Sequence, residues 1–189
     1  MGTRIGAGKD SSEPVSLELA KAHCRVDIDD DDVLFESVYI PAARQSAEEY
    51  TGLTLTAVQM MDVAEEWMCT SNTIPLTASP VASLDAITAI LDDGTRQSLD
   101  LVAYGATIIT RQMRSVVYTA QVLPEAASFE VMYTTGYPDG AFPPSLLLAM
   151  LMLVGDAYEN REAQQSGVTV QDNPRTVALL DPFRLTFGV

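Results

Sequence analysis

The longest apolar run of the chain lies in its C-terminal third and predicts a buried helix. Residues 146–154 are apolar without a break, so a helix there presents an apolar surface around nearly its whole circumference. Pro143-Pro144 favours a start at this point, because proline is well tolerated in the first helical turn. The run is about half of the ~20 residues that cross a bilayer. We therefore predict a core helix over residues 144–163.

A second helical pattern covers residues 31–51, and Gly52 is a favourable stop after its last turn. Pro41 removes one backbone hydrogen bond from this helix, so we predict a kink near residues 37–40 with the helix continuing beyond it. The apolar residues that recur at helical spacing are Val33, Leu34, Val38, Ala42, Ala43, Ala47 and Tyr50.

The N-terminal residues predict an arm followed by a short helix. Residues 1–14 are rich in Gly and Ser with scattered charges, which predicts a flexible arm. Ser16 suits the N-cap of a helix over residues 17–23. The predicted inner stripe of that helix consists of Leu19, Ala22 and His23.

Between residues 53 and 142 the pattern changes to β. Asp92-Asp93-Gly94 carries the Asp-Gly signal of a tight hairpin, and the turn residues at 136–140 return the chain to the helical layer. The predicted antiparallel strands cover residues 55–68, 73–76, 81–91, 95–99, 107–110, 115–118 and 128–134.

Together these patterns predict an α+β fold, a small helical bundle with an inserted antiparallel β region. The segment after residue 167 is too short to fold alone, so we expect it to dock on its own core or on a neighbouring subunit. Residues 14–187 are expected to form one structural unit. The predicted divisions are a flexible arm (1–14), N-terminal helices (15–52), the inserted β region (53–142), and a core helix with a C-terminal docking segment (143–189).

The chain is strongly acidic, with 26 Asp and Glu against 11 Lys and Arg and a formal net charge of −15. Binding to nucleic-acid phosphates requires clustered basic residues, so this composition argues against it. An acidic, soluble surface is the simplest explanation of the charge taken alone.

The acidic run at residues 27–32 has two readings. If it were a calcium-binding EF-hand loop starting at Asp27, Asp32 would occupy the glycine position and Val38 the position of the bidentate glutamate. That pattern fails. We therefore predict that these Asp residues cap the next helix and complement the charge of its N-terminus.

The sequence carries few residues that suit catalysis. Cys24, Cys69 and the single His23 are too few for a zinc site. No nucleophile elbow, Walker loop or zinc-protease motif is present, and no signal-peptide pattern precedes the first helix. We predict buried, reduced cysteines, a cytosolic product, no cofactor and no enzyme activity. A small acidic enzyme or ligand-binding module, whose site residues are distant in sequence, remains the alternative.

Several motifs in the N-terminal part occur together in a particular order. Arg25-Val26-Asp27 is followed by acidic residues 29–32 and by a long helix ending in Glu48-Glu49-Tyr50-Thr51-Gly52. This arrangement resembles the head–tail connector proteins of tailed bacteriophages and prophages. The resemblance covers about residues 14–187. Further similar segments are Ile74-Pro75-Leu76, Ser79-Pro80-Val81, residues 92–94 and 132–137 in the β insertion, the helix at 151–163 and the C-terminal segment at 174–184.

The resemblance implies structural work rather than catalysis. Such proteins form a ring below the portal, help to complete the head after DNA packaging and join it to the tail. The implied partners are further copies of the chain, the portal protein, and tail or head-completion proteins, with no membrane involved. DNA would pass through without specific binding, first in the host cytoplasm during assembly and then in the virion neck. A tail-completion or head-decoration protein is a second alternative.

A head-to-tail ring requires two different patches on each subunit. We expect one on the face of the helix at 31–51 left over after core packing, and the other on the C-terminal segment. The predicted subunit or partner interface residues are Arg44, Glu48, Tyr50, Arg175, Val177, Leu179, Leu180, Phe183 and Arg184.

Overall fold

The computed structural model describes residues 3–7, 13–65, 69–70, 72–111, 113–137, 141–160 and 173–185. The helices are α1 (Leu17–Cys24), α2 (Asp32–Leu34), a π-helical turn (Phe35–Tyr39), α3 (Ile40–Thr51), α4 (Pro144–Glu159), α5 (Pro174–Leu180) and a 3₁₀ turn (Asp181–Phe183). The strands are β1 (Thr3–Ala7), β2 (Val58–Glu65), β3 (Thr73–Pro75), β4 (Val81–Ile90), β5 (Arg96–Leu99), β6 (Thr107–Arg111), β7 (Arg114–Tyr118) and β8 (Ser128–Thr135). The predicted α+β class is confirmed.

The chain divides into two compact units. The β unit comprises Met1–Ser12 and Leu53–Gly140, and the helical unit comprises Glu13–Gly52 and Ala141–Val189. The β unit begins at the residue where the predicted insertion begins and ends two residues before its predicted end. The division into two units differs from the single unit expected over residues 14–187, because the β segment encloses a hydrophobic core of its own.

The β unit contains two antiparallel sheets, with strand orders β1-β2-β8-β4-β5 and β3-β7-β6. Its core is built by residues that alternate along the strands, as on β8, where Phe129, Val131 and Tyr133 are buried. The hairpin between β4 and β5 turns at Asp93-Gly94, where Gly94 has φ +81° and Leu91 N–H donates to Thr95 O at 2.9 Å. The predicted strands 73–76, 81–91, 95–99, 107–110, 115–118 and 128–134 all correspond to strands within one or two residues.

Residues 3–7 correct the predicted flexible arm. They form β1, which pairs antiparallel with β2. The edge of β2 offers unpaired backbone N–H and C=O groups to any segment that reaches it. The composition of residues 1–14 gives no information about a strand edge elsewhere in the fold, so the sequence pattern did not predict β1. The predicted strand at 55–68 is shorter, because β2 runs only from Val58 to Glu65; residues 66–68 lie outside the described part.

The helical unit is organised around α4, against which α1, α3 and α5 pack. Leu146, Met150 and Val154 of α4 are completely buried, as the unbroken apolar run predicts. Asp156, Glu159 and Asn160 are exposed at the end of α4. The predicted continuation to residue 163 lies outside the described residues. No helix within the described part of the chain is both long enough and apolar enough to cross a bilayer.

The kink predicted near Pro41 takes the form of a π-helical turn. Ile40 N–H donates to Phe35 O, five residues earlier. Pro41 has no N–H for a bond to residue 37, and its ring would clash with that carbonyl in a regular α-helix. The wider turn at Phe35–Tyr39 accommodates the proline while the helix continues into α3.

The helical registers require two corrections. On α1 the buried residue is Ala20, whereas Leu19, Ala22 and His23 of the predicted inner stripe are exposed. On the following helix the buried positions are Phe35, Ile40, Ala43, Ala47 and Thr51, whereas Val33, Leu34, Val38 and Ala42 face outward. The π turn inserts extra residues into the helical repeat, so spacing counted at 3.6 residues per turn selects the wrong face before Pro41.

Candidate connector interface

The C-terminal segment, residues 173–185, docks on its own helical unit. Asn173 caps α5 by accepting from Arg175 N–H at 3.1 Å, and Leu180 is only 3% exposed. Leu185 N–H donates to Thr51 O at 2.7 Å. Gly52, with φ +77°, ends α3 there, and a Cβ at that position would lie 3.0 Å from Leu185 Cδ1. The docking expected from the sequence is thus to the segment's own chain.

Tyr50 is the centre of this docking contact. Its hydroxyl donates to Asp181 Oδ1, and the guanidinium carbon of Arg184 lies 5.3 Å from its ring centroid. A cation at this distance is attracted by the negative face of the ring. Tyr50 and Arg184, two of the predicted interface residues, therefore bind each other within one chain.

Arg44 and Glu48 also interact internally. Arg44 Nε donates to Glu13 Oε2 and its Nη1 donates to Glu48 Oε2, both at 2.8 Å. The guanidinium is about one-fifth exposed. The pair with Glu13 ties the entry segment of the helical unit to α3, whereas the pair with Glu48 lies within α3.

The remaining predicted interface residues differ in exposure. Arg175 is exposed, as is Arg184, while Val177, Leu179 and Phe183 are half-buried. Leu180 is buried in its own chain, where it anchors the C-terminal segment. The nine residues thus form several sites rather than one patch.

The acidic run does not cap the helix with its side chains, which corrects the predicted capping role. Asp31 makes no side-chain cap, and its backbone carbonyl accepts from Leu34 and Phe35 N–H at 2.9 and 3.0 Å. Lys21 Nζ of α1 lies 2.7 Å from Asp29 Oδ1 and 2.6 Å from Asp32 Oδ1. The Lys21 ammonium group binds these carboxylates in place of the backbone N–H groups of the helix. The resulting ion pairs connect α1 to the start of α2.

Replacing Lys21 by methionine is expected to destabilise the helical unit in a way that depends on pH. The hydrogen bonds to Asp29 and Asp32 raise the pKa of Lys21, and the bond from Lys21 lowers the pKa of Asp29. The stabilisation from Asp29 is complete above its unfolded pKa of 3.8 and is lost as pH falls below that value. The stabilisation from Lys21 is complete below 10.5 and is lost as pH rises through its higher folded pKa.

Urea unfolding near neutral pH and at both extremes measures this effect. The difference between wild type and Lys21→Met is largest near neutrality and shrinks in acid and in strong base. Arg175→Met is the control, because Arg175 is an exposed cation whose loss leaves this cluster intact. An equal difference at every pH would contradict the assignment.

Beside this cluster lies an exposed apolar and acidic surface, which we call the acidic ridge. Its apolar side chains are Ile28, Val33, Leu34 and Val38, with exposed fractions of 59, 72, 40 and 49%. Asp27, Asp30 and Glu36 are exposed along the same segment. Large apolar side chains that cluster on a surface mark interaction sites. The sequence pattern assigned Val33, Leu34 and Val38 to the inner face of the helix and made no assignment for Ile28.

Three aromatic rings hold the ridge in place. Phe35 stacks on Tyr158 of α4 with ring centroids 5.0 Å apart, and Tyr39 packs edge-on against both rings at 5.5 and 6.1 Å. Tyr158 also donates from its hydroxyl to Asp31 Oδ2 at 3.3 Å. The ridge is therefore presented on a rigid support, which lowers the entropic cost of binding.

The helical unit contains a depression of about 420 Å³ that is a candidate site for a polar ligand. It is lined by His23, Leu148, Met152, Gly155, Asp156, Glu159 and Arg175. Among the residues that the structure describes, no hydrogen bond orients the His23 imidazole. The same part of the chain contains no group of three or more His, Cys, Asp or Glu side chains that could hold a metal ion. Cys24 and Cys69 are free thiols, half-buried rather than buried as predicted. Burial raises the pKa of both thiols, which disfavours the nucleophilic thiolate.

The pattern that defines the family described as "Phage gp6-like head-tail connector protein" matches residues 14–95. This part of the chain is similar to the phage head–tail connector family. The family predicted from the sequence is therefore confirmed. The matched segment covers α1 to β4 and includes the acidic ridge. No curated protein matches the sequence of this chain.

Solved structures with the same fold come from gene transfer agent (GTA) particles. A chain in the "Neck of empty GTA particle computed with C6 symmetry" is 20% identical, with a TM-score of 0.71. A chain in the "Virion of native gene transfer agent (GTA) particle" is 18% identical, with a TM-score of 0.73. A third, in the "Neck of native GTA particle computed with C12 symmetry", is 20% identical, with a TM-score of 0.66. Each comparison covers 100% of this chain and 97% of the other chain.

Proposed function

We propose that this protein is a structural subunit of a connector ring in the neck of a phage-like particle, where it joins the head to the tail. The observation that carries the proposal is the match of its fold, from end to end, to chains of particle necks, together with the family match at residues 14–95. The ring helps to complete the head after DNA packaging. Its neighbours are the portal protein and tail or head-completion proteins, and assembly takes place in the host cytoplasm.

Two of the similar structures are particle necks computed with C6 and C12 symmetry, which supports a ring of identical copies. A closed ring of one chain uses a heterologous interface, in which two different patches of each copy meet. The acidic ridge supplies one patch, because its apolar side chains are exposed and held rigidly. The exposed side of the C-terminal segment, with Arg175 and Arg184, faces a second neck component.

The charge of the chain suits this role. A net charge of −15 repels the phosphates of DNA. Repulsion lets the duplex pass through a ring without being held at each phosphate, whereas binding would require clustered basic side chains. We therefore assign the protein a structural role without specific DNA binding.

The function is tested by reconstitution with portal rings. The full chain is examined by light scattering and negative-stain microscopy, alone and after co-sedimentation with portal. Closed rings with a central hole, or a defined layer added to the portal, are the expected results. If the protein associates neither with itself nor with portal rings, the connector function is overturned. That result would favour a ligand-binding role for the depression lined by His23.

Replacing Val33 and Val38 together by aspartate is expected to abolish ring formation while the chain remains folded. Both side chains are exposed, so their replacement has little effect on packing within one subunit. In a ring they would be buried, and a buried unpaired carboxylate is strongly unfavourable. Val102→Asp is the matched control, because Val102 is 89% exposed and lies outside the ridge. Rings formed equally well by all three proteins would exclude the ridge as the interface.

A further inference from the structure

The sheet β3-β7-β6 has one buried and one exposed face. Ile74 and Val117, which are paired in register, are completely buried in the core of the β unit, and Ser115 is 1% exposed. The alternate residues point the other way, because successive side chains on a strand lie on opposite faces. We call this other side the outer sheet face. It forms a shallow depression of about 350 Å³ lined by Thr73, Ile109, Arg111, Arg114, Val116 and Tyr118.

The outer sheet face is basic in an otherwise acidic protein. Arg111 and Arg114 are both exposed and lie directly opposite each other at the end of the β6–β7 hairpin. They are two of the eleven basic residues of the whole chain. No carboxylate lines the depression. Two guanidinium groups beside an apolar floor fit a surface with carboxylates around an apolar centre, because guanidinium binds carboxylate through paired hydrogen bonds.

The acidic ridge has this complementary chemistry. Its apolar centre contains Val33 and Val38, and its exposed carboxylates include Asp27, Asp30 and Glu36. The outer sheet face contains a depression that could receive an exposed apolar side chain. The two surfaces therefore match in charge and polarity.

We propose that the outer sheet face of one copy binds the acidic ridge of a second copy. This inference rests on the proposed ring and identifies its second patch, which the sequence pattern had placed on the C-terminal segment. Arg111 and Arg114 contact Asp27 and Asp30 of the neighbouring copy, and its Val33 occupies the depression. The two patches differ, so the contact propagates from copy to copy as a ring requires.

Charge reversal on each side tests the inference. One variant of the full chain carries Arg111→Glu and Arg114→Glu, the second carries Asp27→Lys and Asp30→Lys, and the third carries all four substitutions. All the substituted side chains are exposed, so each variant is expected to fold. Self-association is measured by sedimentation velocity and light scattering over a range of salt concentrations.

We expect the first two variants, each alone, to associate roughly 100-fold more weakly than wild type, because like charges face each other. An equimolar mixture of the two is expected to recover association, since each reversed patch then meets its opposite. The third variant is expected to associate by itself. Recovery in the mixture identifies the two patches as partners, which a general loss of stability would not do.

Arg175→Glu is the matched control, because it reverses the charge of an exposed arginine that lies on the C-terminal segment and outside both patches. It is expected to associate as wild type does. Normal association of the two reversal variants, or no recovery in their mixture, would overturn this inference. A wild type that remains monomeric both in solution and in the presence of portal rings would overturn it too. Preferential binding of duplex DNA by the outer sheet face would overturn it as well.

The same variants separate this inference from the proposed function. Co-sedimentation with portal rings is measured for wild type and for the Arg111→Glu, Arg114→Glu variant. A wild type that joins the portal while charge reversal has no effect would retain the connector function and reject the proposed contact. A wild type that neither joins the portal nor self-associates would reject both.

Discussion

Gly136→Ala is expected to lower the free energy of unfolding of the β unit by roughly 2–5 kcal/mol, about 1–2 from the left-handed backbone and 1–3 from overpacking. Gly136 follows β8 and has φ +96°. A Cβ there would lie 2.7 Å from Thr56 O and 2.9 Å from Ala57 N. Both are backbone atoms, which cannot move aside as the end of a side chain can.

Gly94→Ala is the matched control for this prediction. Gly94 also has a positive φ, +81°, but a Cβ there has no atom within 4 Å. Its substitution carries only the backbone cost, about 1–2 kcal/mol. Urea unfolding of the two variants therefore separates the steric contribution from the conformational one. Equal losses of stability in the two variants would show that the backbone around Gly136 moves to relieve the short contacts without an energetic cost.

Asp62→Ala is expected to destabilise the β unit by about 3–5 kcal/mol, because it removes a buried carboxylate that accepts three hydrogen bonds. Asp62 is 1% exposed. It accepts from Thr77 N–H at 2.6 Å, from the Thr77 hydroxyl at 2.8 Å and from the Tyr133 hydroxyl at 2.8 Å. The network joins β2 and β8 to the segment after β3, so its loss leaves several buried polar groups unpaired.

Two further variants sharpen this test. Tyr133→Phe removes one hydrogen bond to the carboxylate and is expected to cost about 1.5–3 kcal/mol. Asp85→Ala is the control, because this exposed carboxylate accepts from Ser83 and Thr134 hydroxyls at 2.8 and 3.1 Å and is expected to cost less than about 1 kcal/mol. Equal effects of Asp62→Ala and Asp85→Ala would contradict a special role for burial.

The Tyr133 hydroxyl adds a pH dependence with a definite sign. Burial, followed by the hydrogen bond to Asp62, raises the pKa of Tyr133 well above its ordinary value. The neutral phenol is therefore favoured in the folded state, and its contribution to stability is complete below the unfolded pKa of 10.0. As pH rises further, this contribution is lost in the wild type and not in Tyr133→Phe.

Local signals in the sequence were sufficient to identify most secondary structure. The strands and the hairpin at Asp93-Gly94 were predicted because period-two alternation and turn residues act within a few positions. The core helix α4 was predicted because its apolar run is unbroken. The connector family was recognisable from the order of short motifs such as Arg25-Val26-Asp27, which requires no tertiary information.

The errors arose where tertiary contacts decide between local alternatives. Helical spacing placed Val33 and Val38 in the core, but the π turn before Pro41 rotated them outward. The carboxylates of Asp29 and Asp32 were predicted to cap a helix, yet Lys21 of α1 binds them. Residues 3–7 were predicted to be flexible, yet they pair with the edge of β2.

The candidate interface also combines features that can be predicted from the sequence with features that depend on tertiary contacts. The acidic charge, the element types and the family follow from the amino-acid sequence alone, because these depend on composition and on neighbours along the chain. Only the tertiary structure placed Leu180 inside and Val33 outside, and only the strand pairing brought Arg111 and Arg114 together on one face. Exposure is a property of what packs against a side chain, and that depends on residues distant in sequence.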